Sequence, residues 1–337
     1  MAASTKIGPM PKASIIITTH NRPHLLPRAI NSARASGSEV EIVVVDDASS
    51  DETAEICQSV PGFTYVRVER NQGVAGARNI GLVASHGDYI SFLNDGDQRL
   101  PNSIDKQIET LERDTEAVLI YGQAIPEDAG GQQHPAFPAH CPQGDILWDL
   151  LSRNFIPCSS AIFRRDCLSR VGLLDDGISG IDDWDLWLRI AEMFSIAAVA
   201  TPVMISCRPT RTSAHGGADA VDLIERSRSQ FREHWLKLPR VASAPPSRKR
   251  AAWRSFSNNV SEHLWEDAFS ALRKFEFQYA GKSAVAALRL HPTALLGAIR
   301  HGENFSTLDT RLAPAGSRGD LSHAKQPFNR IRSSRTR

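Results

Sequence analysis

The first 125 residues alternate between short apolar runs and stretches of helical periodicity. Ala13–Thr19 (ASIIITT), Val40–Asp47 (VEIVVVDD), residues 63–69 (FTYVRVE), Tyr89–Leu93 (YISFL) and residues 117–122 (AVLIYG) read as strands, rich in β-branched side chains. After the first of them Leu25, Leu26, Ala29, Ile30 and Ala33 recur at helical steps. Residues 49–60 open with the serines and acids of a helix start. Helices over 73–86 and 101–114 complete the series, with Pro101 near a first helical position. Alternation at this pitch predicts an α/β fold: a doubly wound, mainly parallel sheet flanked by helices. Ligands of such sheets sit beyond the carboxyl ends of the strands. Here those ends are Thr18–Asn21, Asp46–Ser50 and Asn94–Asp97.

Beyond residue 125 the pattern loosens. Residues 126–157, rich in Pro, Gly, Gln and His, predict a loop that closes in a short helix at 145–153. A strand is expected at 159–165, a helix from Asp182 to about Phe194, and a last strand at 203–209. From about Asp219 the pattern is helical. The expected organisation is a tail over 1–12, a catalytic α/β domain over 13–215, a helical region over 216–302 and a basic, disordered tail over 303–337. Within the helical region, 240–250 reads as a linker and 280–302 as an Ala/Leu helix pair hinged at Pro292.

Charge narrows the partners. The 39 basic and 38 acidic residues of the 337 leave a net charge of +1, so no global field draws nucleic acid. The five cysteines lack C-x-x-C or metal-finger spacing and read as buried or free thiols in a reducing compartment. The first fourteen residues hold no apolar core of a secretory signal. No run approaches the ~18 uninterrupted apolar residues of a membrane span. A cytoplasmic protein is expected.

Four stretches could carry chemistry. Asp46 and Asp47 end a buried strand. A helix cap accounts for Ser49, Ser50 and Asp51 but not for two adjacent carboxylates, and an acid there can accept hydrogen bonds from a base or ribose. In NQGVAGARNIGL the glycines Gly73, Gly76 and Gly81 fit neither G-x-G-x-x-G nor a P-loop. Arg78 and Asn79 stand out in that apolar helix: either a surface arginine, or one facing a cleft to pair with a phosphate. NDGD, Asn94–Asp97, is ordinary turn chemistry, but at a strand's carboxyl end it also suits Mg²⁺ or Mn²⁺. In GIDDWDLWLR, Asp182 and Asp183 suit a helix N-terminus, and Asp185 with Arg189 makes a structural i,i+4 pair. An acid beside buried tryptophans can have a raised pKa and act as a general base.

Taken together, SIIITTHNRPHLLPRAINS, VEIVVVDDASSDET, NQGVAGARNIGL, GDYISFLNDGDQRLP, VGLLDDG and IDDWDLWLRI resemble the family 2 glycosyltransferases of the GT-A fold. The likeness covers about Ala13 to Ser213. It implies an inverting enzyme that moves one sugar from a nucleoside-diphosphate donor, usually UDP-linked, to an acceptor hydroxyl. It also implies a divalent cation, Mg²⁺ or Mn²⁺, and a glycan or glycolipid acceptor in bacterial cell-surface synthesis. By position, Thr18, Asn21, Asp46 and Asp47 would serve the nucleotide, and Arg78, Asn79, Asn94, Asp95 and Arg208 the donor. Asp183 matches the catalytic base, with Asp182 beside it where the family commonly has Glu. The usual acidic pattern is D-x-D-D where this chain reads N-D-G-D, so Asp97 and Asp95 are the expected metal ligands, and Asn94 and Gly96 replace acids. The usual His of the following loop is Thr210 here; either His215 substitutes for it as a metal ligand or that contact is missing.

QFREHW, Gln230–Trp235, superficially resembles the Q-x-x-R-W motif of processive synthases, but its spacing differs. With no membrane span either, one sugar per encounter is expected. Two other readings compete: a silent nucleotide-sugar-binding protein of the same fold, and a sugar nucleotidyltransferase. The second would want a glycine-rich loop after the first strand, and TTHNRPH has none. The C-terminal helices read as core helices first and as a peripheral membrane contact second.

Overall fold

The computed structural model describes residues 11–128, 130–178, 180–207, 220–273 and 275–290. Eight strands form one sheet: β1 (Ala13–Thr19), β2 (Val40–Asp46), β3 (Thr64–Arg67), β4 (Tyr89–Asn94), β5 (Gln98–Arg99), β6 (Ala117–Glu127), β7 (Ile162–Arg164) and β8 (Ser195–Cys207). Their spatial order is β3-β2-β1-β4-β7-β6-β8-β5. The first four are parallel, β7 runs antiparallel between β4 and β6, β6 and β8 are parallel, and β5 closes the far edge antiparallel to β8.

The helices are α1 (Leu26–Ala35), α2 (Thr53–Ser59), α3 (Gly73–Ala84), α4 (Ser103–Arg113), α5 (Leu147–Ser152), α6 (Leu168–Val171), α7 (Asp182–Met193), α8 (Ala220–Glu233), α9 (Pro239–Ser243), α10 (Pro246–Arg273) and α11 (Phe277–Leu290). Strand β1 is buried at every position, as a central parallel strand must be. Its alternating side chains divide between two cores. Ile15 and Ile17 pack with Leu26 and Ile30 of α1 and Ile104 and Ile108 of α4. Ile16 points the other way, into the core that holds Ala75, Ala77 and Leu82 of α3. There the glycine of the ARNIG stretch has a packing role. A Cβ on Gly81 would stand 2.3 Å from Ile16 Cγ2, so α3 can lie this close to β1 only because position 81 has no side chain.

Parallel pairing brings the carboxyl ends of β1, β2 and β4 to one edge. Thr19 stands opposite Asp46, and Thr18 opposite Asn94. Because β7 is antiparallel to β4, the 3-10 turn that leads into it, Cys158–Ser160, arrives at that same edge.

Three expectations change. The last strand begins at Ser195 rather than 203 and pairs with β6 along its length. Residues 240–250 are not a linker: α9 ends at Ser243, and Pro246 opens the long helix α10. Strand β5, two residues long, carried no signal of its own. Residues 1–10 of the first tail, the whole of the tail over 303–337, the hinge at Pro292 and the 208–215 loop lie outside the described residues. Phe231, Trp235, Val241 and Phe256 of the helical region belong to the same core as Phe163 and Trp187 of the sheet domain.

Candidate active site

A cavity of about 320 Å³ opens between the end of β4, the start of α7 and the Cys158 turn. Among its lining residues are Arg78, Asn94, Asp97, Cys158, Asp182 and Asp183; Phe137, Ile156 and Met204 supply an apolar wall.

Arg78 organises the polar side. It is 5% exposed. One guanidinium nitrogen donates to Asp182 Oδ2 at 2.7 Å and the other to Asn94 Oδ1 at 3.1 Å. The ring of Phe92 lies 5.2 Å from its Cζ. Of the two readings the sequence left open for this arginine, the cleft is the one observed. Its partner is a carboxylate of the protein, 104 residues along the chain. Asp182 also accepts the backbone N–H of Gly180 at 2.9 Å. Asp182 is thereby neutralised and fixed.

Asp183, next in the helix, has no arginine of its own. Its Oδ1 accepts the Trp184 backbone N–H at 2.7 Å. Burial first, and then the neighbouring Asp182 carboxylate, push its pKa up to about 6, against the opposing pull of Arg78. A carboxylate so placed holds its charge at neutral pH but takes a proton readily, as a general base should.

The turn after β4 parts its acids. Asp97 faces the cavity side: Oδ2 accepts Ser159 Oγ at 2.6 Å and Asn94 Nδ2 at 2.9 Å, and Oδ1 accepts the Cys207 backbone N–H at 3.1 Å. Burial pushes its pKa up and these donors oppose the push. Asp95 turns the other way. It accepts Thr19 Oγ1 at 2.9 Å and pairs with Arg22 at 2.9 Å. It does not line the cavity. The expectation that both acids face one cation is therefore corrected for Asp95, whose charge Arg22 already balances.

The chemistry of the donor set decides how well a divalent ion fits. A carboxylate offers about four lone-pair sites, and three protein donors occupy three of them on Asp97. One remains, enough for the one-carboxylate attachment that Mg²⁺ and Mn²⁺ accept when phosphates and water complete the shell. No group of three or more His, Cys, Asp or Glu among the described residues could hold a metal unaided. Gly96 supplies no ligand, and His215 and Arg208 lie outside the described residues.

The residues expected to serve the nucleotide stand at the sheet edge beside this cavity rather than in its lining. Asp46 is committed to structure: it accepts the Ser49 backbone N–H at 2.9 Å and Tyr65 Oη at 2.7 Å. Asn21 stitches the β1 end to the β2 end by accepting the Ser50 N–H at 2.8 Å. Asn79 is corrected too, since both ends of its amide bind the Leu174 backbone, at 2.9 and 3.0 Å. Thr18 is nearly buried beside Asn94. Asp47 accepts the Gln72 N–H at 2.7 Å; burial pushes its pKa up and that N–H opposes it.

Sequence reasoning passed over Arg22, Cys158, Ser159 and Arg99. Arg99 is buried, with Gln107, Ser91 and the Ser160 and Ala161 carbonyls as hydrogen-bond partners. Burial lowers its pKa to about 9. It braces the Cys158–Ser160 turn that presents Ser159 to Asp97. A basic residue two positions after an acidic turn gave no signal of that role.

Relatives place the chain. The model of Glycosyl transferase family 2 matches residues 14–172. An uncharacterized glycosyltransferase of Haemophilus influenzae is 26% identical over 231 residues, 66% of this chain and 77% of that protein. The succinoglycan biosynthesis protein ExoO of Rhizobium meliloti is 35% identical over 106 residues, 31% of this chain and 30% of that protein. So the chain matches most of one relative and under a third of the other. Among solved structures, S. aureus TarS 1-349 in complex with UDP-GlcNAc superposes with a TM-score of 0.51 at 15% identity, covering 82% of this chain and 92% of that one. The likeness in fold is thus to a GT-A glycosyltransferase. Residues 14–172, a little under half of the chain, thus match glycosyl transferase family 2.

Proposed function

We propose that this glycosyltransferase moves one sugar, with inversion, from a nucleoside-diphosphate donor to an acceptor hydroxyl in the cavity beside Asp183. The observation that carries the reading is the unequal pair at the start of α7. Asp182 is neutralised by Arg78, while Asp183 faces the cavity with its pKa raised. Asp183 takes the proton of the acceptor hydroxyl as that oxygen bonds to the anomeric carbon. The bond from that carbon to the diphosphate oxygen breaks, and the nucleoside diphosphate leaves with the electron pair. A single displacement needs no covalent nucleophile. Arg78 and Asn94 hold the donor side of the cavity in place. Asp97 would hold a divalent ion, which supplies charge neutralisation at the leaving diphosphate.

The donor is proposed to be UDP-linked, as in the TarS complex of the same fold. A glycan or glycolipid acceptor of the bacterial surface agrees with the name of the Rhizobium relative. No helix among the described residues is long and apolar enough to cross a membrane. A thermal-shift screen of UDP-, GDP- and dTDP-sugars, each with and without Mn²⁺, tests the donor class. Stabilisation by UDP-sugars above the others is expected; a silent response to every nucleotide sugar would overturn the reading.

A further inference from the structure

Helix α7 presents its first-turn acids in three directions. Successive residues turn by about 100°, so Asp183 and Asp185 point to roughly opposite sides of the helix. Asp183 faces the cavity. Asp185, 5% exposed, faces the C-terminal helices. Its Oδ1 accepts the indole N–H of Trp235 at 2.9 Å and the Gln230 amide at 3.3 Å; its Oδ2 accepts Arg189 Nε at 2.8 Å. The Trp235 ring also lies 4.8 Å from that of Trp184, between the two acids in sequence. Trp184 in turn donates its indole N–H to the Leu150 carbonyl at 2.8 Å.

Gln230 and Trp235 bracket the QFREHW stretch that matched no synthase motif. Five residues apart, they would not share a face of one continuous helix. They converge because α8 ends at Glu233 and a 3-10 turn, Trp235–Lys237, brings the indole round. Both belong to the helical region beyond the sheet, and they grip the helix, α7, that carries the proposed base. Packing alone would be met by apolar side chains. A buried carboxylate with its donors satisfied fixes direction as well.

We infer that Gln230 and Trp235 are positioning residues: through Asp185 they set where the first turn of α7 holds Asp183 in the cavity. This rests on the assignment of Asp183 as the base. On this account the C-terminal helical region completes the active site without touching substrate.

The test is a double-mutant cycle on the full chain. Trp235→Phe keeps an aromatic ring and removes the N–H; Gln230→Met is the second variant, should the first fold poorly. UDP binding by calorimetry reports a folded donor site and should change by less than about twofold in either variant. Turnover of the UDP-sugar that stabilises the protein best should fall by about tenfold with KM for the donor unchanged, as misplacing a catalytic group does. In the Asp183→Asn background the same substitutions should cost nothing further, because they act through that carboxylate. A full additional loss there, or wild-type turnover in both single variants while Asp183→Asn is inactive, would overturn the positioning role and leave the base assignment standing. Wild-type turnover in Asp183→Asn would remove the base assignment and the positioning role with it.

Discussion

At the turn Asn94–Asp97 two carboxylates leave the chain two residues apart and acquire different neighbours. At the start of α7, three carboxylates within four residues do the same with a different result. In the turn each acid is held by protein donors: Asp95 by Arg22 and Thr19, Asp97 by Asn94, Ser159 and the Cys207 N–H. In the helix Asp182 has Arg78 and Asp185 has Arg189, while Asp183 between them has neither. An acid held by several donors suits binding. One left beside a neutralised twin, with its pKa raised, suits proton transfer. Acid count alone does not tell these roles apart; the placement of the arginines does.

That comparison breaks in several places if it is wrong. Asp183→Asn should lower kcat by about 10²–10⁴, the usual contribution of a general base, with UDP binding retained. Steady-state assays of UDP release check it, and a loss no greater than that of Asp97→Asn would erase the distinction between the clusters. Arg78→Met should leave a buried Asp182 uncompensated and cost about 3–5 kcal/mol of stability. Arg22→Gln should cost less, about 1–3 kcal/mol, because Arg22 is 28% exposed and water reaches its side of the pair. Urea unfolding of both variants gives the order, and a larger loss for Arg22→Gln would reverse the ranking of the two clusters.

A smaller effect is expected at Gly96. Its added Cβ would meet Cys207 Cβ at 3.6 Å and Leu25 Cδ1 at 3.7 Å, which is ordinary contact. Gly96→Asp should therefore fold and add a third carboxylate to the turn. UDP binding should then gain several-fold more from Mn²⁺ than wild type does. Equal gains in the two proteins, by calorimetry with and without chelator, would mean that position 96 does not face the ion.

Much of the fold could be read from the chain because its N-terminal half is built from local signals. Residues such as Ile15–Ile17 and Val43–Val45 mark strands buried on both faces, and Ile104, Ile108 and Leu111 mark an amphipathic helix. The far side of the sheet was harder. β5 and β7 have two and three residues, and β8 runs through exposed Ala200, Thr201 and Pro202. Their pairing comes from contacts distant in sequence. The site divides similarly. Arg78 was conspicuous in an apolar helix, and the acids were visible at strand and helix ends. Which acid faced the cavity was not, because that depends on partners far along the chain: Arg22 lies 73 residues from Asp95, Cys207 110 from Asp97, and Trp235 50 from Asp185. Asn79 shows the converse error. It has the family's spacing, but its amide holds the Leu174 backbone.

The central claim is that burial and, after it, the neighbouring Asp182–Arg78 pair set the ionisation of the base at Asp183. Transfer requires Asp183 ionised, so the rate should fall as pH drops through about 6 in the wild type. The Asp182 carboxylate raises that pKa and Arg78 lowers it, so Asp182→Asn should move the fall to lower pH. The most direct measurement is the pH dependence of kcat/KM for the two proteins side by side. The account predicts an acid limb near pH 6 in the wild type and a limb displaced to lower pH in Asp182→Asn. Limbs that coincide, or one displaced to higher pH, would contradict it.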